Sequence, residues 1–211
     1  MVPERPEEGE WPAVRIAAGT SEEGIAAADF DGDGDQDVAA LTEGGRVIWA
    51  ENPGRLVPDW PIHPVGETPP TPDRIAAGDL SGDGRPDLVV TTETPLRDAG
   101  VFWFQHPGER GAPWPRHQIA IQFTTNSLDL ADLDDDGDLD IVTAEHRGTK
   151  KLQIWENVGN GSRWIEHVVD RGKENHLGAR VADLDGDGDL EIFGIAWDEY
   201  QYLHLWRNDS R

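Results

Sequence analysis

The sequence predicts an all-β protein, a propeller of four blades with four antiparallel strands in each, and three observations carry that prediction. Short apolar runs are punctuated by 24 Gly and 15 Pro among 211 residues, and no window sustains a helical period. The chain repeats itself about every fifty residues. Each repeat holds four strand-length segments, the content of one propeller blade.

The repeat is marked by tryptophan. Trp11, Trp60, Trp114 and Trp164 open the four copies, and Trp49, Trp103, Trp155 and Trp206 close them. Between each pair lies an Asp/Gly loop, beginning at Asp29, Asp79, Asp132 and Asp183. The Trp-led segments read WPAVRIA, WPIHPV, WPRHQIA and WIEHVVD. The segments entering the loops read GIAAADF, RIAAGDL, SLDLADL and ARVADL, and those leaving them DVAALT, DLVVTT, DIVTAE and EIFGIA. The closing segments read RVIWAEN, GVFWFQH, LQIWEN and LHLWRN. Apolar or alternating runs of this length, bounded by Gly, Pro, Asn and Asp, are strand signals.

With the loop-entering strand innermost, the order within a blade is entering, leaving, closing and, outermost, Trp-led. Residues 11–17 are then an outer strand with no blade before them, and the fourth blade stops after its third strand. The expectation is that residues 11–17 complete the fourth blade and close the ring, which removes an exposed sheet edge. The alternative is a half-ring that pairs with a second chain into eight blades, so the molecule is a monomer or a homodimer. Residues 1–10 read as a flexible acidic tail without the apolar core of a secretion signal, and residues 11–208 as one propeller domain.

The net charge of −24 is concentrated. The four loops hold 19 of the 42 acidic residues and one of the 18 basic ones, leaving an ordinary surface elsewhere. Such clusters repel themselves unless a cation sits among them. The same charge argues against nucleic acid as a partner, and no stretch has the length of a membrane span. Cysteine is absent, which excludes disulfides and thiolate metal sites.

Each loop has the form DxDxDGxxD. Loop 1 runs Asp29, Asp31, Asp33, Gly34, Asp35, Asp37; loop 2 runs Asp79, Ser81, Asp83, Gly84, Arg85, Asp87. Loop 3 runs Asp132, Asp134, Asp136, Gly137, Asp138, Asp140; loop 4 runs Asp183, Asp185, Asp187, Gly188, Asp189, Glu191. Side-chain oxygens at positions 1, 3 and 5 converge when the backbone coils around an ion, and Gly at position 6 permits the coil. Position 7 (Asp35, Arg85, Asp138, Asp189) offers its backbone carbonyl, and position 9 (Asp37, Asp87, Asp140, Glu191) returns a carboxylate. Oxygen ligands without Cys or His select Ca²⁺ over zinc or copper, so up to four Ca²⁺ are expected. Loop 2 is the weakest, with Ser81 for a carboxylate and Arg85 adding positive charge. An EF-hand would need Glu at position 12, where Ala40, Val90, Thr143 and Gly194 stand.

The loops, together with VIWAENPG, VFWFQHPG and QIWENVGNG, resemble the FG-GAP/VCBS repeat family of integrin α-chains and many bacterial exported proteins. The resemblance covers residues 11–208. It implies calcium at the loop positions, an extracellular or periplasmic setting, and a binding or adhesion role toward a glycan or protein ligand. Propellers of that family usually carry seven or eight blades, so four departs from the pattern.

Three histidines recur at one repeat position, His63, His117 and His167, and are expected on separate outer strands against the Trp side chains. His146, His176 and His204 do not recur; His146 in TAEHRG and His176 in KENHLG are the candidates for general acid/base chemistry. Trp197 with Tyr200 and Tyr202 is the candidate sugar-stacking platform. No GxSxG, HExxH or phosphate-binding fingerprint is present. The expected function is a non-catalytic binding or scaffold module. The alternative is a carbohydrate-active enzyme, a polysaccharide lyase or sugar dehydratase, with its site on one propeller face.

Overall fold

The computed structural model describes residues 13–93, 99–172, 176–196 and 202–209, with the backbone alone at residues 21, 22, 176 and 177. The tail 1–10, Trp11, Trp197, Tyr200 and the His176 side chain lie outside what it describes. The described residues form fifteen strands and no helix, hence no helix long and apolar enough to cross a membrane. The first sheet contains β1 (Thr20–Ala28), β2 (Asp37–Thr42), β3 (Arg46–Ala50) and β4 (Ile62–Glu67). The second contains β5 (Pro72–Gly78), β6 (Asp87–Thr92), β7 (Gly100–Phe104) and β8 (Arg116–Ile121). The third contains β9 (Thr125–Ala131), β10 (Asp140–Glu145), β11 (Lys151–Asn157) and β12 (Trp164–Arg171). The fourth contains β13 (His176–Ala182), β14 (Glu191–Ala196) and β15 (Leu203–Trp206).

Every sheet is antiparallel and its strands follow one another in chain order, as the repeat predicts. The first strands pack in series, β1 against β5, β5 against β9 and β9 against β13, so the sheets stand side by side about their inner strands. All six residues of β6 (DLVVTT) are buried, because a neighbouring sheet covers each face. Outer strands alternate instead: β4 and β8 expose much of their length. Three apolar clusters fill the three spaces between consecutive sheets. The first centres on Phe30, Trp49, Phe102, Phe104 and Trp114, the second on Leu80, Val89, Trp103 and Ile141, and the third on Val142, Leu152 and Ile192.

One expectation needs correction. The fourth sheet has three strands among the described residues, and residues 13–17 do not extend it. The Arg15 and Ile16 carbonyls instead accept the N–H groups of Asp59 (3.0 Å) and Trp60 (2.9 Å), just ahead of β4. Ring closure by this segment is therefore not found.

The closing tryptophans are also not equivalent. Trp49 and Trp103 pair with residues two beyond loop position 9, Ala39 and Val89, whereas Trp155 and Trp206 pair with residues one beyond it, Ile141 and Ile192. A shift of one residue turns a strand side chain to the other face. Trp103 thus looks forward to the third sheet, while Trp155 looks back to the second, and both meet in one cluster.

Candidate metal centres

Each Asp loop joins the inner strand of its sheet to the second strand, so all four sit at the same end of the sheets. In loop 1 the Asp29 carboxylate accepts the amides of Gly32 (2.8 Å), Asp33 (3.1 Å) and Gly34 (2.9 Å), coiling the backbone around itself. Asp79 holds Asp83 (3.0 Å) and Gly84 (2.7 Å), Asp132 holds Gly137 (3.0 Å), and Asp183 holds Gly186 (2.7 Å) in the same manner. At position 6, Gly34, Gly84, Gly137 and Gly188 have φ of 95°, 83°, 94° and 97°. The space beside Gly34, Gly84 and Gly137 is open, so backbone conformation alone demands glycine there.

This coil brings three carboxylates within 4.8 Å of one another in three of the loops: Asp29, Asp31 and Asp33; Asp132, Asp134 and Asp136; and Asp183, Asp185 and Glu191. Position 9 separates into two roles. Asp37 is buried and spends both oxygens on amides, those of Phe30 (2.9 Å) and Asn52 (2.7 Å). Asp87 accepts Leu80 (3.1 Å), Ser81 (2.9 Å) and His106 (2.7 Å), and Asp140 accepts Leu133 (3.1 Å) and Asn157 (2.8 Å). Each staples its loop to a residue at or just beyond the end of the third strand. Glu191, one methylene longer, staples Leu184 (2.9 Å) with Oε2 and leaves Oε1 buried without a hydrogen bond beside Asp183 and Asp185. In loop 3, Asp132 Oδ1 is likewise buried and without a hydrogen bond.

In loops 1 and 3 the position 7 side chains turn to the residues that follow the third strand. Asp138 accepts the amides of Gly159 (3.1 Å) and Asn160 (2.9 Å), and the Asp35 carboxylate lies beside Gly54. Loop 2 is built differently. Its Arg85 guanidinium sits 2.5 Å from Asp83, and Ser81 contributes only a hydroxyl, 3.5 Å from Asp79. A side-chain cation already pairs with Asp83 in that loop.

Burial sets the electrostatics. It pushes the carboxyls of Asp37, Asp87 and Asp134 above the usual range and holds Asp140 at about 6, despite the amides that favour its charged form. Asp185 is raised for the same first cause. A cation close by would favour their charged forms.

The recurring histidines lie on outer strands as expected. His63 stacks on Trp49 with ring centroids 4.2 Å apart and reaches Glu51 at 2.7 Å; His117 stacks on Trp103 at 4.6 Å; His167 reaches Glu156. A second polar constellation lies at the other end of the inner strands. The buried His146 ring has Nδ1 2.5 Å from Asn126 Oδ1 and 3.7 Å from Glu93. The Asn126 carbonyl accepts Arg74 Nε at 3.1 Å, and Arg74 also reaches Glu23. Sequence reasoning set His146 beside Glu145, but Glu145 turns away to hold Thr149, its Oε2 accepting the Thr149 amide (3.0 Å) and hydroxyl (2.6 Å). Asn126 and Glu93 were missed, because neighbours across strands leave no local signal. Tyr202 is exposed near His204.

The sequence profile of a family described as FG-GAP-like repeat matches residues 29–90 and 132–194. Each match starts at position 1 of an Asp loop and takes in two consecutive loops. Among curated proteins, an aldos-2-ulose dehydratase of Phanerodontia chrysosporium is 27% identical over 146 residues. That alignment covers 64% of this chain and 16% of the dehydratase.

Proposed function

Because the chain belongs to the family of FG-GAP-like repeats, we propose that it is a calcium-stabilised propeller serving as a binding or scaffold module outside the cytoplasm. The observation that supports this reading is the threefold convergence of carboxylates within 4.8 Å in loops 1, 3 and 4. Ca²⁺ would be held by Asp29, Asp31 and Asp33 in the first, by Asp132, Asp134 and Asp136 in the third, and by Asp183, Asp185 and Glu191 in the fourth. The donor set is all oxygen, which is what a hard, loosely coordinated ion requires. Loop 2, with Arg85 on Asp83, binds weakly or stays metal-free. The ions are structural, and binding them is coupled to folding. Sites on flexible surface loops fill at the millimolar calcium of extracellular or periplasmic fluid, where a glycan or a protein would be the ligand. The blades share a common axis and the ring is complete in the working molecule.

Calcium titration by calorimetry, paired with thermal melts in Ca²⁺ and in chelator, tests the proposal. Three strong equivalents are expected, with a melting temperature several degrees lower in chelator, since each site filled at a hundred times its Kd adds about 2.7 kcal/mol. Identical melting curves would remove the reading.

A second reading rests on His146, Asn126, Glu93 and Arg74. A buried imidazole held by an amide oxygen near a carboxylate has the parts of a proton-transfer site, and the similar dehydratase acts in sugar chemistry. In this reading His146 removes or delivers a proton during water elimination from a sugar. Incubation with an aldos-2-ulose, monitoring the ultraviolet absorbance of an unsaturated product, decides it: His146→Gln must abolish any signal that the unaltered chain gives.

A further inference from the structure

The two ends of the row of sheets carry matching halves of one interface. Four cross-strand pairs stand at the same repeat position, four residues beyond loop position 9: Leu41 with Val47, Thr91 with Val101, Ala144 with Leu152, and Ile195 with Leu203. The first three pairs are fully buried under the sheet that follows. Among the described residues no sheet covers the fourth, with Ile195 49% and Leu203 71% exposed, and Leu205 beside them 56% exposed. Loop position 2 shows the same break. Phe30 and Leu80 are buried against Trp114 and Trp164 of the following sheets, whereas Leu184 is 53% exposed.

A hydrogen bond repeats between sheets as well. A residue at or just beyond the end of the third strand reaches back to the position-2 carbonyl of the preceding loop: His106 Nε2 to Phe30 O (2.9 Å), Asn157 Nδ2 to Leu80 O (2.9 Å), and Asn208 Nδ2 to Leu133 O (3.1 Å). Asn52, at this position in the first sheet, donates only within its own loop, to Gln36 O (3.1 Å). Leu184 O is the carbonyl that corresponds to it at the far end.

The segment 13–17 completes the match. At the first interface Val65 of β4 packs in one cluster with Trp114, and Pro64 to Gly66 line a groove with Gly111 to Pro113. Arg15 and Ile16, at the repeat positions of Pro64 and Val65, hold by backbone hydrogen bonds Asp59 and Trp60, which stand at the repeat positions of Pro113 and Trp114. Residues 13–17 therefore sit on the first sheet as the outer strand of a preceding sheet would. Among the described residues the fourth sheet has no outer strand.

We propose that the open face of the fourth sheet is docked by the first sheet and residues 13–17 of a second copy of this chain. The inner strands β13 and β1 of one chain do not pack together as the other inner strands do, so the ends find each other between chains. A head-to-tail contact either closes into a ring or runs on as a filament. Propellers hold roughly four to eight blades, and two copies of the four described sheets fall within that range with both of these faces filled. This proposal rests on the fold and holds whichever ligand the module takes.

Native mass spectrometry and light scattering of the chain in Ca²⁺ test it. The expected mass is twice the 23.3 kDa of one chain. Leu203→Glu with Leu205→Glu should return it to one chain while circular dichroism stays unchanged, because both side chains are exposed within a single chain. Ile121→Glu, at a residue 66% exposed on β8 and away from both ends, should remain two-chain. Asn52→Ala should weaken the pairing about tenfold. A single-chain mass for the unaltered protein at every concentration overturns the proposal. So does a pair that survives the double substitution, or a ladder of higher masses.

Discussion

Calcium-free protein is expected to become more stable, not less, when acidified from about pH 7.5 to about pH 5. The main contributor is Asp140, buried at the start of β10, where burial holds its carboxyl at about 6 against an ordinary 3.8. The folded chain takes up this proton as the pH falls through about 6, while the unfolded chain waits until near 3.8. Stability from this group is thus complete below the lower value and lost as pH rises through the upper one. Across the stated interval the linkage amounts to about 1.4 kcal/mol, or about 4 °C in melting temperature for a chain of this size. Asp37, Asp87, Asp134 and Asp185 are raised by burial and act with the same sign. Glu51 is lowered by Arg110 and Glu166 by Lys151, so both oppose the trend, but mostly below their ordinary 4.5. Calcium reverses the sign, because ligand carboxylates must be deprotonated to bind. Differential scanning calorimetry on metal-free and calcium-loaded samples across the interval reads both slopes. A metal-free melting temperature that falls on acidification would falsify the account of position 9 as a costly buried charge.

Two further outcomes follow from the loops and the core. Asp33→Ala and Asp136→Ala should each remove one calcium equivalent and lower the loaded melting temperature more than Ser81→Ala does, while Ser81→Asp with Arg85→Asp should add an equivalent; equal effects in calorimetric titration would contradict the ranking of loop 2 below the others. Leu80→Ala should cost about 2–5 kcal/mol in denaturant unfolding, because Leu80 is fully buried between the second and third sheets; a loss within experimental error would show that loop position 2 does not bind the sheets together.

The strands were legible because each is short, apolar and fenced by Gly, Pro or Asp, and the exit strands DVAALT, DLVVTT, DIVTAE and EIFGIA match β2, β6, β10 and β14 residue for residue. Their order in the sheet was legible too, since consecutive strands joined by short turns pair as neighbours. What the letters hide is register. Trp49 and Trp155 stand in similar text, yet one residue of difference before the following Asn52 or Asn157 turns them to opposite faces. The place of residues 13–17 was also hidden: a strand-like segment with a free edge reads the same whether its partner is β15 or the approach to β4. The His146 constellation joins residues in or just beyond four strands, β5, β6, β9 and β10, and leaves no spacing to find.

Position 9 shows why the site was only half readable. A loop of alternating aspartates looks like a set of equal ligands, and spacing alone supports that. In the folded chain the carboxylates of Asp37, Asp87 and Asp140 are consumed by amides from two directions, position 2 of the loop and a residue at or just beyond the end of the third strand. They fix where the loop stands on its sheet, and through that they fix the position-2 carbonyl that the next sheet reaches for. Positions 1, 3 and 5 gather their carboxylates in loops 1 and 3, with Arg110 3.7 Å from Asp31 at the first. The fourth loop tests this division of labour within one chain. Its Glu191 has the reach to do both jobs, stapling Leu184 with one oxygen and turning the other toward Asp183 and Asp185. One added methylene lets position 9 staple the loop and also stand beside the carboxylate cluster, a distinction that depends on reach and burial and that no count of acidic residues contains.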